Sequence, residues 1–186
     1  MAAIRYPDAS LRTFVETQGD WVEQAPLLPP GPSAGFGSTL ALEGDTLVVA
    51  QAVTSLDSHE PAVFVFVRDA SSWSLQATLS GWAQRDPQRV SNDSSPRVAL
   101  SGDRLVVVDA LATSSDPNVL GTANVFSRSQ GSWERVAELL PPQPSAAGAS
   151  FGRSVAISGD DIAIGALATS TSSSGVVYVY RAAPDQ

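Results

Sequence analysis

The chain has 186 residues, 43% of them hydrophobic, and a mean hydropathy near zero, which is enough apolar material for one domain with a sizeable core. Eleven basic against 19 acidic residues and a pI near 4.4 argue against electrostatic attachment to nucleic acid or anionic membranes; every basic residue is a scattered arginine. No window approaches the roughly 18 consecutive apolar residues of a membrane-spanning helix, the first seven residues lack a signal-peptide apolar core, and the absence of cysteine excludes disulfides and thiolate metal sites.

In chain order, a partial strand is expected over residues 11–16. Trp21 then opens the pattern Trp-x-x-x-Ala-x-Leu, ending at Leu27; it returns from Trp73 to Leu79 and from Trp133 to Leu139, and its named residues share one face at period two. Proline-rich residues 26–32 and 141–144 read as stiff connections. Next comes Leu40-Ala41-Leu42-Glu43-Gly44-Asp45, repeated as Val98-Ala99-Leu100-Ser101-Gly102-Asp103 and Val155-Ala156-Ile157-Ser158-Gly159-Asp160. Each Gly-Asp is followed by an apolar run beginning at Leu47, Leu105 or Ile162. A two-residue Gly-Asp link between apolar runs predicts a tight hairpin, with glycine accepting the positive φ of a type II′ turn. After a Ser/Thr/Asp-rich stretch, a third strand alternates in Val63-Phe64-Val65-Phe66, Ala123-Asn124-Val125-Phe126 and Val177-Tyr178-Val179-Tyr180.

No 3.6-residue periodicity competes, so the chain is expected to be all-β. Four strands in a repeat of roughly 50 to 60 residues make it propeller-like. The expected fold is a β-propeller of four-stranded antiparallel blades in one domain, 1–186. Its repeats run over 21–72, 73–132 and 133–186, and residues 1–20 hold a partial N-terminal strand. Face-to-face packing of wedge-shaped blades suits the alanines at 41, 99 and 156. An all-β sandwich with decayed internal duplication is the alternative.

Phe36-Gly37-Ser38-Thr39-Leu40-Ala41 and Phe151-Gly152-Arg153-Ser154-Val155-Ala156, together with Gly175-Val176-Val177-Tyr178-Val179-Tyr180, resemble the FG-GAP repeats of integrin-α-like β-propellers. The resemblance spans residues 11–181. It departs in the middle repeat, where Ser94-Ser95 replaces Phe-Gly, and that blade is expected to be distorted. Many members of the family carry an Asp-x-Asp-x-Asp-Gly calcium loop between the first two strands. Here the link is only Gly-Asp, with one carboxylate, so neither bound calcium nor any other cofactor is expected, and Asp45, Asp103 and Asp160 read as turn residues. The resemblance implies an extracellular or cell-surface setting, although any export signal would have to lie outside this sequence.

Phe14, Phe66 and Phe126 each precede a tryptophan by seven residues; for Tyr180 that position would be 187. The last blade is therefore expected to lack its fourth strand, and the Trp21 strand to be spare. Three blades are too few to close a ring. A two-fold homodimer of six blades follows, the Trp21 strand closing the partner's last blade. Excision from a longer propeller and some other assembly are the alternatives, and the duplicate strand at 11–16 points towards excision.

The ingredients of catalysis are scarce. His59 is the sole histidine, in a polar loop, there is no lysine, and no nucleophile elbow or phosphate loop occurs. A non-enzymatic chain is expected. Recognition falls instead to loops held by a rigid frame. By the resemblance, these are the segments carrying Trp82, Arg85, Asp86 and Arg89, then Asp57 and His59, then Asp116 and Asn118. Trp82 is the one tryptophan outside the repeat: it either plugs the widened gap of the middle blade or anchors a ligand. The expected function is a protein-interaction or adhesion module. A propeller lectin and a structural or engineered assembly unit with no ligand are the alternatives.

Overall fold

The computed structural model describes residues 10–31, 35–52, 61–70, 72–82, 84–85, 95–115, 120–141, 150–167 and 174–182. It is all-β and propeller-like, with four antiparallel sheets. A two-stranded hairpin, β1 (Phe14–Thr17) and β2 (Asp20–Glu23), comes first. Blade 1 is the meander β3 (Phe36–Glu43), β4 (Thr46–Gln51), β5 (Ala62–Asp69), β6 (Ser72–Leu79). Blade 2 comprises β7 (Gln84–Arg85), β8 (Arg97–Ser101), β9 (Arg104–Thr113), β10 (Leu120–Ser129) and β11 (Ser132–Leu139). Among the described residues blade 3 comprises β12 (Ser150–Ser158), β13 (Asp161–Leu167) and β14 (Val176–Arg181).

The turn chemistry explains the hairpins. Gly44, Gly102 and Gly159 open the two-residue Gly-Asp turns with φ of 54°, 56° and 55°, a region closed to most side chains. Between third and fourth strands the demand is stronger: Gln18 and Gly19, like Gln130 and Gly131, all take positive φ. The Phe-Gly motif is a β-bulge. Pairing slips between Phe36 and Thr39, and again between Phe151 and Ser154, with Gly37 at φ 84° and Gly152 at φ 89°.

Three apolar layers hold the sheets together. Blades 1 and 2 meet through Val48, Val63, Val65, Leu105, Val107 and Phe126; blades 2 and 3 meet through Val106, Val108, Ala123, Val125, Ile162 and Ile164. Leu27, with Leu11, covers the outer face of blade 1 at Leu47, Val49, Phe64 and Phe66. In blades 1 and 2 the second and third strands sit between layers on both sides, which is why they read as continuous apolar runs rather than as alternation with polar residues.

The middle blade departs from its neighbours where Phe-Gly is missing. In blade 1 the Phe36 ring lies 5.7 Å from Phe64 and 6.3 Å from Phe66; in blade 3 Phe151 lies 5.7 Å from Tyr178 and 6.4 Å from Tyr180. Blade 2 has no such ring in its first strand. That strand is split: β8 pairs along the lower part of β9, and β7 joins Ala112 and Thr113 further on. Trp82, 5% exposed, occupies the corresponding core beside Leu105, Val107 and Phe126.

The Trp21 strand is not spare within the chain. It pairs with β1 in cis, Glu16 opposite Trp21 and Phe14 opposite Glu23, because residues 11–17 repeat the third-strand pattern. Trp73 and Trp133 lie half-buried with the guanidinium groups of Arg68 and Arg128 over their rings at 5.4 and 5.1 Å. Trp21 faces Glu16 instead and is 70% exposed.

Candidate recognition face

A meander places alternate connections at opposite ends of a blade. The two-residue turns collect at one end, and every longer connection, from β4 to β5, β6 to β8, β9 to β10, β11 to β12 and β13 to β14, leaves from the other.

At the turn end the Gly-Asp carboxylates are engaged by arginine. Arg68 donates to Asp45 at 2.7 Å and Arg128 to Asp103 at 2.6 Å, each within its own blade, while Arg104 of blade 2 donates to Asp160 of blade 3 at 2.8 Å. Between blades 2 and 3 these groups border a shallow cleft of about 320 Å³, lined by Ser101, Gly102, Asp103, Arg104, Ser127, Gly159 and Asp160. Its carboxylates are already paired with cations. Among the described residues no group of three His, Cys, Asp or Glu side chains is placed to hold a metal ion.

At the loop end, blade 2 holds a polar chain that repeat reading alone overlooked. Asn124, fully buried, stands where Phe64 and Tyr178 stand in the other blades; Arg135 stands in the place of Leu75. The Arg135 guanidinium donates to the Asn124 side-chain oxygen at 2.9 Å and to the Trp82 carbonyl at 3.4 Å. Asn124 donates to the Thr122 hydroxyl at 3.1 Å, and Thr122 donates to Glu138 at 3.0 Å. Glu138 also accepts from the Ser115 N–H at 3.1 Å, at the root of the β9–β10 connection. Burial opposes ionisation of Glu138, but the hydrogen bonds from Ser115 and Thr122 and the charge of Arg135 hold its carboxyl below the usual range. Nearby, buried Asp109 accepts from the Leu111 N–H at 3.0 Å. The signal was in the sequence, as two polar residues at apolar repeat positions.

Of the expected site residues, Trp82 is buried between blades 1 and 2, its indole N–H donating to the Leu79 carbonyl at 3.3 Å. Arg85 lies in β7, opposite Ala112. Asp57, His59, Asp86, Arg89, Asp116 and Asn118 lie outside the described residues. The structure thus places Trp82 within the frame.

Comparison with known proteins adds two findings. Residues 133–180 match the FG-GAP repeat. Among solved structures, the chain is similar to the GH93 α-L-arabinofuranosidase of Fusarium graminearum, described in complex with arabinobiose. The TM-score is 0.51 at 11% identity, over 94% of this chain and 54% of that one. The chain therefore spans about half the length of the structure it matches. No curated protein matches the sequence. The expectation of a non-enzymatic chain is corrected by this likeness: a propeller of similar fold is a glycosidase, so the architecture gives no ground for setting catalysis aside. The physical reason is that catalytic groups on such a frame can converge from separate blades, unseen as any motif along the chain.

Proposed function

We propose that this chain, which carries an FG-GAP repeat in a propeller-like frame, is a protein-interaction or adhesion module that recognises its partner with the end bearing the long connections. One observation carries the reading: the two ends of the blades are unequal. The turn end is spent on two-residue links whose carboxylates arginines already neutralise. The other end gathers every connection long enough to form a recognition surface, and the Arg135–Asn124–Thr122–Glu138 chain stiffens the root of one of them.

The test is binding of the purified chain to immobilised cell-surface and matrix proteins, with arabino-oligosaccharides as a second set of probes. Support is saturable binding to a protein that is lost when residues 84–90 and 114–119 are replaced by Gly-Ser sequence and kept in Asp45→Asn at the turn end. Binding or cleavage of the arabino-oligosaccharides without protein binding overturns the reading in favour of a carbohydrate-directed protein, as does protein binding that survives loop replacement.

A further inference from the structure

The second and third strands of each blade carry two alternating apolar sets. One faces the preceding blade: Leu47, Val49, Phe64 and Phe66 in blade 1, and Ile162, Ile164, Tyr178 and Tyr180 in blade 3. The other faces the following blade. Val63 and Val65 of that second set are 0% exposed beneath blade 2, but their counterparts on blade 3, Val177 and Val179, are 68% and 69% exposed. At the opposite end of the row, Leu42 is 65% exposed and Leu40 is also open, whereas Val98 and Leu100 in blade 2 pack against blade 1. Interior and ends are built from the same positions. Only their coverage differs.

The N-terminal hairpin shows what belongs on the open face of blade 1. Its Leu11–Leu27 bridge reproduces the Val63–Leu79 and Ala123–Leu139 pairs, so β1 and β2 stand as the outer two strands of a preceding blade. The Leu11–Leu27 pair covers β4 and β5 at Leu47, Val49, Phe64 and Phe66, and Leu40 and Leu42 of β3 stay open. Their fit is imperfect. Thr13 stands where Val65, Val125 and Val179 stand in the other repeats, and its buried hydroxyl has no hydrogen-bond partner among the described residues.

We propose that β14 of a second copy of this chain displaces β1 from β2, docking blade 3 of one copy on blade 1 of the other, so that two chains close head to tail through two identical junctions. The cis register, Phe14 opposite Glu23 and Leu11 opposite Leu27, becomes Tyr180 opposite Glu23 and Val177 opposite Leu27. Val177 takes the seat of Leu11. Val179 takes that of Thr13 and removes the unpartnered hydroxyl from the core. β12 and β13 then lie over Leu40 and Leu42 as β3 and β4 lie over β8 within the chain.

Polar contacts between blades continue in the same sense. The Gly102 N–H donates to Glu43 of the preceding blade at 2.6 Å and the Gly159 N–H to Ser101 at 3.2 Å; the next members are Gly44 and the second copy's Ser158. Arg128 reaches back to Thr46 at 2.9 Å, and at the new junction those two positions hold Arg68 and Asp161, which are of opposite charge. This inference stands apart from the recognition reading, because it concerns blade faces and a strand edge rather than the connections.

The experiment is mass by light scattering across a dilution series of the full chain, which weighs 19.3 kDa. The expected result is a concentration-dependent dimer with nothing larger. Val179→Lys or Leu42→Lys puts a charge into the junction and weakens association by roughly a hundredfold or more. Both positions are exposed within one chain, so the circular dichroism of the monomer stays unchanged. Mixing the two variants recovers association only in part, since the mixed dimer has one unaltered junction and carries both lysines at the other. Thr13→Val strengthens β1 in its cis seat and shifts the equilibrium towards monomer. A monomer at all concentrations, a dimer indifferent to both lysine variants, or a ladder of larger masses overturns the proposal.

Discussion

Blades 2 and 3 solve one packing problem in two ways. Blade 3 fills the seat above its second and third strands with Phe151, wedged edge-on against Tyr178 and Tyr180 from its own first strand. Blade 2 has lost that ring, and Trp82 enters the seat from the preceding connection while Arg135 and Asn124 occupy positions that are apolar in blade 1. The difference teaches that the seat, rather than the motif that usually fills it, is what the architecture requires. A polar group is tolerated there only because each is hydrogen-bonded to the next.

The sharpest way to break the comparison is to empty the seats. Phe151→Ala should destabilise the chain by about 4 kcal/mol in urea unfolding, since the ring is fully buried and the backbone around it cannot collapse. Gly121 adds to that rigidity: a Cβ there would stand 1.9 Å from the Phe151 carbonyl oxygen. Trp82→Ala should cost less, about 3 kcal/mol, because its seat was opened by a split strand that can relax, and Trp82→Phe should recover most of the loss. Equal costs for the two alanine variants would mean that the seats are equally rigid.

Asn124→Ala should cost about 1–3 kcal/mol, the price of leaving the part-buried Arg135 donor and the Thr122 hydroxyl short of a partner. A neutral result would show that Arg135 finds another acceptor and that the polar chain does not act as a unit.

The smallest effects lie in pH, and they have opposite signs in the two blades. Glu138 is held below its ordinary value in the fold; its contribution is present above the unfolded carboxyl value and is lost as pH falls through the folded one. Glu138→Gln should flatten the acid limb of stability against pH. Tyr180 of blade 3, which donates to the Leu140 carbonyl at 2.8 Å, is pushed up to about 12 by burial and by Tyr178. Its contribution is complete below the ordinary tyrosine value near 10 and is lost as pH rises through about 12. Tyr180→Phe should remove the latest step of the phenolate absorbance titration. A titration unchanged by that substitution would place the late proton elsewhere.

Much of the frame was legible in the residues. Gly44, Gly102 and Gly159 announced their turns, because a two-residue link with positive φ at its first residue has few other solutions. Val177 and Tyr180 announced a third strand by alternation, and that strand is β14. The arginine clamps on Asp45, Asp103 and Asp160 were not legible. Their partners lie at least 23 residues away, and for Asp160 the partner comes from another blade.

What the sequence determined by itself was periodic: strand order, turn type, the repeat, and the face each alternating side chain would take. These depend on neighbours a few residues apart and on a pattern copied from blade to blade. What only the tertiary structure decided was which copy of a repeated position is covered. Val65 and Val179 read alike along the chain, yet one is sealed under blade 2 and the other is exposed, because burial depends on what lies across the interface rather than on the strand itself. The same holds for Trp82, whose seat exists only where two sheets meet and one of them lacks a ring.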